Sequence, residues 1–257
     1  MRLDLYLVNE NYFESRNKAQ EEIKNGNIKV DGKVITKPSF ELDGGTIEVI
    51  NSCPYVSRGG YKLEGAIKLF KLNFDDKIVL DIGSSTGGFT DCSLQNGAKL
   101  VYSVDVGSNQ LHESLRNNPR VKVYENTNIK DFNIGDKVDI IVMDVSFVSI
   151  EYLISDIDKF IDDDTLFVTL IKPQFEIGKI HIKNGIVKDK KLYLEVLNNI
   201  SNELSKYNLG IEKIASSPIL GGSGNKEFLA LIKRNIKTNI NFREFLKGEY
   251  YAKGTIC

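Results

Sequence analysis

Asp144 and Lys172 each close a short apolar run, Ile140 to Met143 and Leu166 to Ile171, and Glu227 stands just before another, Phe228 to Ile232. Opposite charges abutting buried strands want partners, because unpaired burial is costly. In open α/β sheets ligands sit beyond the carboxyl ends of the strands, which puts Asp144 and Lys172 at one crevice. A second feature is the turn Val79-Leu-Asp-Ile-Gly-Ser-Ser-Thr-Gly-Gly-Phe-Thr-Asp91. Its glycines let backbone approach a ligand closely, and a helix starting there offers free amide hydrogens, so a nucleotide-like ligand is expected. A nicotinamide-binding turn would read Gly-x-Gly-x-x-Gly; here it is Gly83-x-x-x-Gly87-Gly88, which weakens a dehydrogenase reading. Asp105 ends the next strand, 22 positions after Gly83, close to the distance of about 20 at which an acid meets ribose hydroxyls in this architecture.

The elements that must position these residues follow from periodicity. From residue 77 short β-rich runs (77–82, 100–105, 139–144, 166–172) alternate with helical stretches (88–96, 110–117, 150–160, 190–207). That alternation predicts a parallel, doubly wound α/β sheet. Val121 to Tyr124 is a further strand, with Asn128 after it as a candidate for the adenine border. Upstream, Leu3, Leu5, Leu7 and Val8 open a short helix, Ser15 caps a second, and Gly26 stops it. Ile28 to Val30 and Lys33 to Ile35 form a hairpin about Asp31-Gly32. Pro54, Gly59 and Gly60 interrupt all periodicity, so the linker is read at 51–60, with a small domain at 1–50, a larger one at 61–235 and a tail at 236–257.

The totals exclude several classes. Hydrophobic residues make up 41% and charged residues 27% of 257, ordinary globular values that argue against disorder. No apolar run approaches the roughly 18 residues of a spanning helix, and the N-terminus lacks a secretory layout, so a cytoplasmic protein is expected. Cys53, Cys92 and Cys257, like His112 and His181, form no ligand spacing, so no metal is expected. Net charge is −1, yet residues 61–171 carry 11 basic and 18 acidic residues (−7), and 172–257 carry 15 and 8 (+7). The asymmetry suggests a basic surface in the C-terminal part.

Arg2-Leu3-Asp4, Ser15-Arg16, Ala19, Ile23, Gly26, Val30-Asp31-Gly32 and Lys37-Pro38 resemble the S4-like RNA-binding domain. The resemblance implies a small α+β module whose Arg2, Arg16, Lys18 and Lys29, with Arg58 beyond it, face RNA. The glycine turn resembles the S-adenosylmethionine turn of Rossmann-like class I methyltransferases, which have a mostly parallel seven-stranded sheet. This implies S-adenosylmethionine held by Asp81, Gly83, Ser84, Ser85, Thr86, Gly87, Gly88, Asp105, Asn128 and Asp144, with Asp81 near the methionine part. Such a fold also runs its last strand antiparallel, bringing Glu227 to the crevice. Lys62, Asp144, Lys172 and Glu227 then match the Lys-Asp-Lys-Glu tetrad of ribose 2′-O-methyltransferases.

More closely, Tyr55-Val-Ser-Arg-Gly-Gly-Tyr-Lys-Leu63, Val104-Asp-Val-Gly107, Asp144-Val-Ser-Phe147, Lys172-Pro-Gln-Phe-Glu176 and Ser223-Gly-Asn-Lys-Glu-Phe228 resemble the TlyA family, also called hemolysin A, over residues 1 to 235. That implies 2′-O-methylation of cytidine in 16S or 23S ribosomal RNA, free or in subunits. A ribose hydroxyl is a weak nucleophile and needs its proton removed and its oxygen held in line. Lys172 is the expected base or hydroxyl-orienting group, Asp144 the acid nearest the methyl donor. The sequence departs from the family at Cys53 and Tyr55, where some members have a basic residue and a tryptophan, and at Ser108, where an aromatic is common. Two other readings stand beside this one: a cytolysin, as the family name records, and an RNA-binding protein with an inert catalytic domain. A lytic protein should show a spanning segment, long amphipathic strands or a basic amphipathic helix, and none is visible.

Overall fold

The computed structural model describes residues 1–50, 53–177, 185–187, 189–222 and 224–248. His181, Ser223, Cys257, the first two linker residues and the end of the tail lie outside the described residues. The chain divides between Pro54 and Tyr55 into two compact units.

The first unit holds helices α1 (Leu3–Asn9) and α2 (Arg16–Lys24) and strands β1 (Ile28–Val30), β2 (Lys33–Val34) and β3 (Ile47–Val49), in sheet order β2-β1-β3, both pairs antiparallel. Ser15 is extended and its hydroxyl accepts from the Lys18 N–H at 3.3 Å, the cap expected of serine before a helix. Asp31 and Gly32 both have positive φ, 49° and 76°, the twist that joins tightly paired strands. β3 was not read from the sequence, because three residues carry no period. Leu3, Leu7, Ala19, Ile23 and Ile28 are fully buried and form this unit's core.

The second unit contains α3 (Gly59–Phe70), β4 (Ile78–Ile82), α4 (Gly88–Gln95), β5 (Leu100–Val104), α5 (Glu113–Arg116), β6 (Val121–Tyr124), β7 (Ile140–Met143), α6 (Ile150–Ile157), β8 (Leu166–Ile171), α7 (Pro173–Glu176), α8 (Lys190–Ser205), β9 (Leu209–Ser216), β10 (Phe228–Arg234) and α9 (Phe242–Lys247). The sheet has seven strands in order β6-β5-β4-β7-β8-β10-β9. All pairs from β6 to β8 are parallel; β10 runs antiparallel between β8 and β9. Inserting β10 antiparallel puts its start, Phe228 opposite Ile171, at the edge where β7 and β8 end.

Two stretches differ from the sequence reading. The helix expected at 110–117 is a single turn, because the backbone of residues 109–111 bonds to the Glu125 carboxylate and His112 caps what remains. α3 begins at Gly59, inside the stretch read as linker, and Tyr55 of that stretch is buried against it: a Cβ on Gly60 would lie 2.2 Å from the Tyr55 ring.

Candidate active site

Lys62, Asp144, Lys172 and Glu227 come together in the second unit. α3 is amphipathic, burying Leu63, Ala66 and Phe70, and Lys62 shares that buried face near its first turn. Its Nζ donates to Glu227 Oε2 at 2.7 Å and lies 3.6 Å from Asp144 Oδ2. Lys172 Nζ is 2.5 Å from Asp144 Oδ1. The charges therefore alternate Glu227, Lys62, Asp144, Lys172, so that each buried cation faces at least one carboxylate, as burial requires. Lys62, Lys172 and Glu227 are each exposed by less than a tenth.

Residues that periodicity did not single out complete the arrangement. Lys172 Nζ donates to Ser146 Oγ at 2.8 Å, and Gln174 Nε2 donates to Glu227 Oε1 at 3.1 Å. Both lie within two positions of a tetrad residue, in the Asp144-Val-Ser-Phe and Lys172-Pro-Gln-Phe-Glu segments, and that adjacency was the available signal. Phe147 is 90% exposed at φ 66°, and its ring lies 4.9 Å from that of Phe175. A bulky residue held there costs conformational energy.

The glycine turn is built differently from the expectation. Cβ atoms on Gly83, Gly87 and Gly88 would meet Val145 Cγ1 at 2.9 Å, Leu115 Cδ1 at 2.3 Å and Ser57 Oγ at 2.4 Å, so these glycines are required first by close packing of protein on protein. Gly87 also sits at φ 98°, where a side chain is strained. No side chain of the N-cap residue closes the start of α4, and of its first amides the Thr90 N–H turns to the Asp81 carboxylate. Beneath it Asp81 is fully buried; its Oδ2 accepts from Thr90 Oγ1 at 2.6 Å, while Oδ1 has no partner. Burial, helped by Asp144 and Asp105, pushes the Asp81 carboxyl up to about 7. Asp105 receives the Ser85 N–H at 2.8 Å and the Gly107 N–H at 2.7 Å, which ties the turn to the loop after β5. Ser84 is buried, Ser85 exposed and Thr86 between the two. Asn128 is exposed, and its Oδ1 accepts from the Lys130 N–H at 3.1 Å; it caps a turn and is not drawn into the tetrad.

In the first unit Asp4 is fully buried and gathers three donors: Arg2 at 2.9 Å through two nitrogens, Arg16 at 3.0 Å and Gln20 at 2.6 Å. The Arg2 hydrogen bonds hold its carboxyl far below the usual range. Lys18 departs from the expectation of an RNA-facing cation: its Nζ is buried 3.0 Å from Glu22 Oε1, because Glu22 is itself buried and needs the charge. Lys29 Nζ is 3.6 Å from Glu48, and Arg58, half-buried at the N-cap of α3, belongs to the second unit. Among the described residues no three His, Cys, Asp or Glu side chains form a metal cluster, and no helix is long and apolar enough to cross a membrane.

The FtsJ-like methyltransferase family model matches residues 55–234 and the S4 domain model residues 1–47. Hemolysin A of Brachyspira hyodysenteriae is 44% identical over 90% of this chain and 98% of its own. The 16S/23S rRNA (cytidine-2′-O)-methyltransferase TlyA of Mycobacterium tuberculosis is 36% identical over 90% and 89%. The chain belongs to the TlyA family of FtsJ-like methyltransferases. Among solved structures, a hemolysin-named protein of Streptococcus thermophilus superposes with a TM-score of 0.76 at 36% identity, covering 96% of this chain and 93% of that one. This TlyA-family chain thus combines an S4 domain with a methyltransferase domain whose sheet brings the four charged residues to one edge.

Proposed function

We propose that the chain transfers the methyl group of S-adenosylmethionine to a ribose 2′-hydroxyl of ribosomal RNA in 16S or 23S RNA, with cytidine as the nucleoside and the cytoplasm as its place of action. The observation that carries this reading is the alternating Lys62, Asp144, Lys172 and Glu227 cluster at the carboxyl edge of the sheet. The donor set suits the cofactor: the start of α4, without an N-cap side chain, for its carboxylate, Asp81 with an unpartnered oxygen for its amine, and Asp105 for its ribose. When bound, S-adenosylmethionine supplies an electrophilic methyl on sulfur. Lys172 orients the acceptor: Ser146 takes one of its N–H groups and Asp144 faces it, which leaves a donor for the hydroxyl oxygen or, once deprotonated, a lone pair for its proton. Lys62 and Glu227 hold Asp144 in place from the other side. The exposed Phe147, paired with Phe175, suits stacking with an unpaired base, the usual way single-stranded RNA is read. In the S4 domain, Arg2 and Arg16 present a forked pair suited to phosphate.

The test is transfer of labelled methyl from S-adenosylmethionine to ribosomal subunits and to naked ribosomal RNA. Label that blocks alkaline cleavage at one ribose, and that falls about 10²- to 10⁴-fold in Lys172→Ala with cofactor affinity intact, is the expected result. Cofactor binding without label on any RNA would overturn it.

A further inference from the structure

The polar groups of the site sit largely on two loops rather than on strands. One follows β7 and carries Asp144, Ser146 and Phe147 to Ser149, the N-cap of α6; the other follows β8 and carries Lys172, Gln174, Phe175 and Glu176 on the single turn α7. The β7–β8 ladder ends with Met143 paired to Thr169. Beyond that pair no backbone hydrogen bond joins the two loops among the described residues. Strand pairing brings Asp144 and Lys172 to neighbouring strand ends, with the Asp144 N–H on Ile82 O at 3.2 Å, but the segments after them are held together by side chains.

Glu176 spans the gap. Its Oε2 accepts from the Ser149 hydroxyl at 2.5 Å, and its two oxygens accept from the Ile150 N–H at 3.2 and 3.3 Å. The carboxylate thus occupies the start of α6, where orphan amides and the helix dipole favour negative charge. Ser149 in turn accepts from the Glu151 N–H at 3.1 Å, so its hydroxyl is used in both directions. Holding charge on this half-buried carboxylate has a cost, since burial raises its carboxyl to about 7. From the same turn Lys172 reaches Asp144 and Ser146, and Gln174 reaches Glu227.

We propose that Glu176 is a positioning residue for methyl transfer, a clamp that holds the Lys172 loop against the Asp144 loop while RNA enters. The inference rests on the methyl-transfer reading above. Displacing a reacting group by about 1 Å costs on the order of 10²-fold in rate, so Glu176→Ala should lower kcat at least about tenfold with the dissociation constant of S-adenosylmethionine within about twofold. Glu176→Gln keeps an acceptor oxygen for Ser149 and Ile150 and should restore most of the rate. Ser149→Ala combined with Glu176→Ala should be little worse than Glu176→Ala alone, as for two residues acting through one link. Hydrogen–deuterium exchange of residues 144–151 gives a readout that needs no acceptor: faster in Glu176→Ala, near wild type in Glu176→Gln. Unchanged exchange, or unchanged kcat in an active enzyme, overturns the clamp. A wild-type protein that methylates no RNA overturns the methyl-transfer reading instead, and exchange still decides the link between the loops.

Discussion

Lys62 Nζ and Glu227 Oε2 lie 2.7 Å apart although they are 165 positions apart in the chain. The pair closes one end of the charged cluster, and both partners are buried. Removing one partner of a buried pair leaves an uncompensated charge and costs about 3–5 kcal/mol, whereas replacing both with apolar residues is often neutral. Lys62→Met should therefore destabilise the protein by roughly that amount in urea unfolding. Lys62→Met with Glu227→Leu should recover most of the stability and none of the methyl transfer.

Asp81 and Glu176 have carboxyls raised to about 7 by burial. Both bind a proton in the folded state at pH values where the unfolded chain has released it. As far as these groups are concerned, stability should be fully present at and below about pH 4, fall by about 1.4 kcal/mol per pH unit for each as pH rises from there toward 7, and level off above. Asp81→Asn should remove one share of that slope, measured by urea unfolding between pH 5 and 8.

Asp4 acts in the opposite sense. Its carboxyl is held low by Arg2 first, with Gln20 and Arg16 also lowering it, so its contribution is present above the ordinary carboxylate range and lost as pH falls. Asp4→Ala frees Arg2, Arg16 and Gln20 together, and because both arginines are partly exposed and water can take over their donors, the loss in stability should stay at about 1 kcal/mol. Binding to ribosomal RNA should weaken, while S-adenosylmethionine affinity stays within about twofold, since Asp4 lies in the other unit.

Phe147 is 90% exposed, so Phe147→Ala should leave the melting temperature within a degree or two. If the ring stacks on the acceptor base, the loss is about 1–3 kcal/mol of RNA interaction. kcat/KM for RNA should fall about five- to hundredfold, with cofactor affinity unchanged. An unchanged kcat/KM would leave its exposure and positive φ unexplained.

Much was already present in the amino-acid order. Apolar runs of strand length alternating with helical periodicity, a serine cap at Ser15, the Asp31-Gly32 turn and an acid or lysine at the end of a run all depend on neighbours a few residues away. That is enough to mark both units, the glycine turn, and Asp144, Lys172 and Glu227 singly, while Lys62 was marked only by resemblance to the tetrad. Tertiary structure decided what those residues meet. β10 enters antiparallel between β8 and β9, which delivers Glu227 to Lys62, and the parallel pairing of β7 with β8 sets Lys172 beside Asp144. Gly83, Gly87 and Gly88 fit against Val145, Leu115 and Ser57, Lys18 turns to Glu22, and Glu176 reaches Ser149. Local sequence governs backbone propensity and capping, whereas charge pairing and close packing are set by which elements the shared core brings side by side.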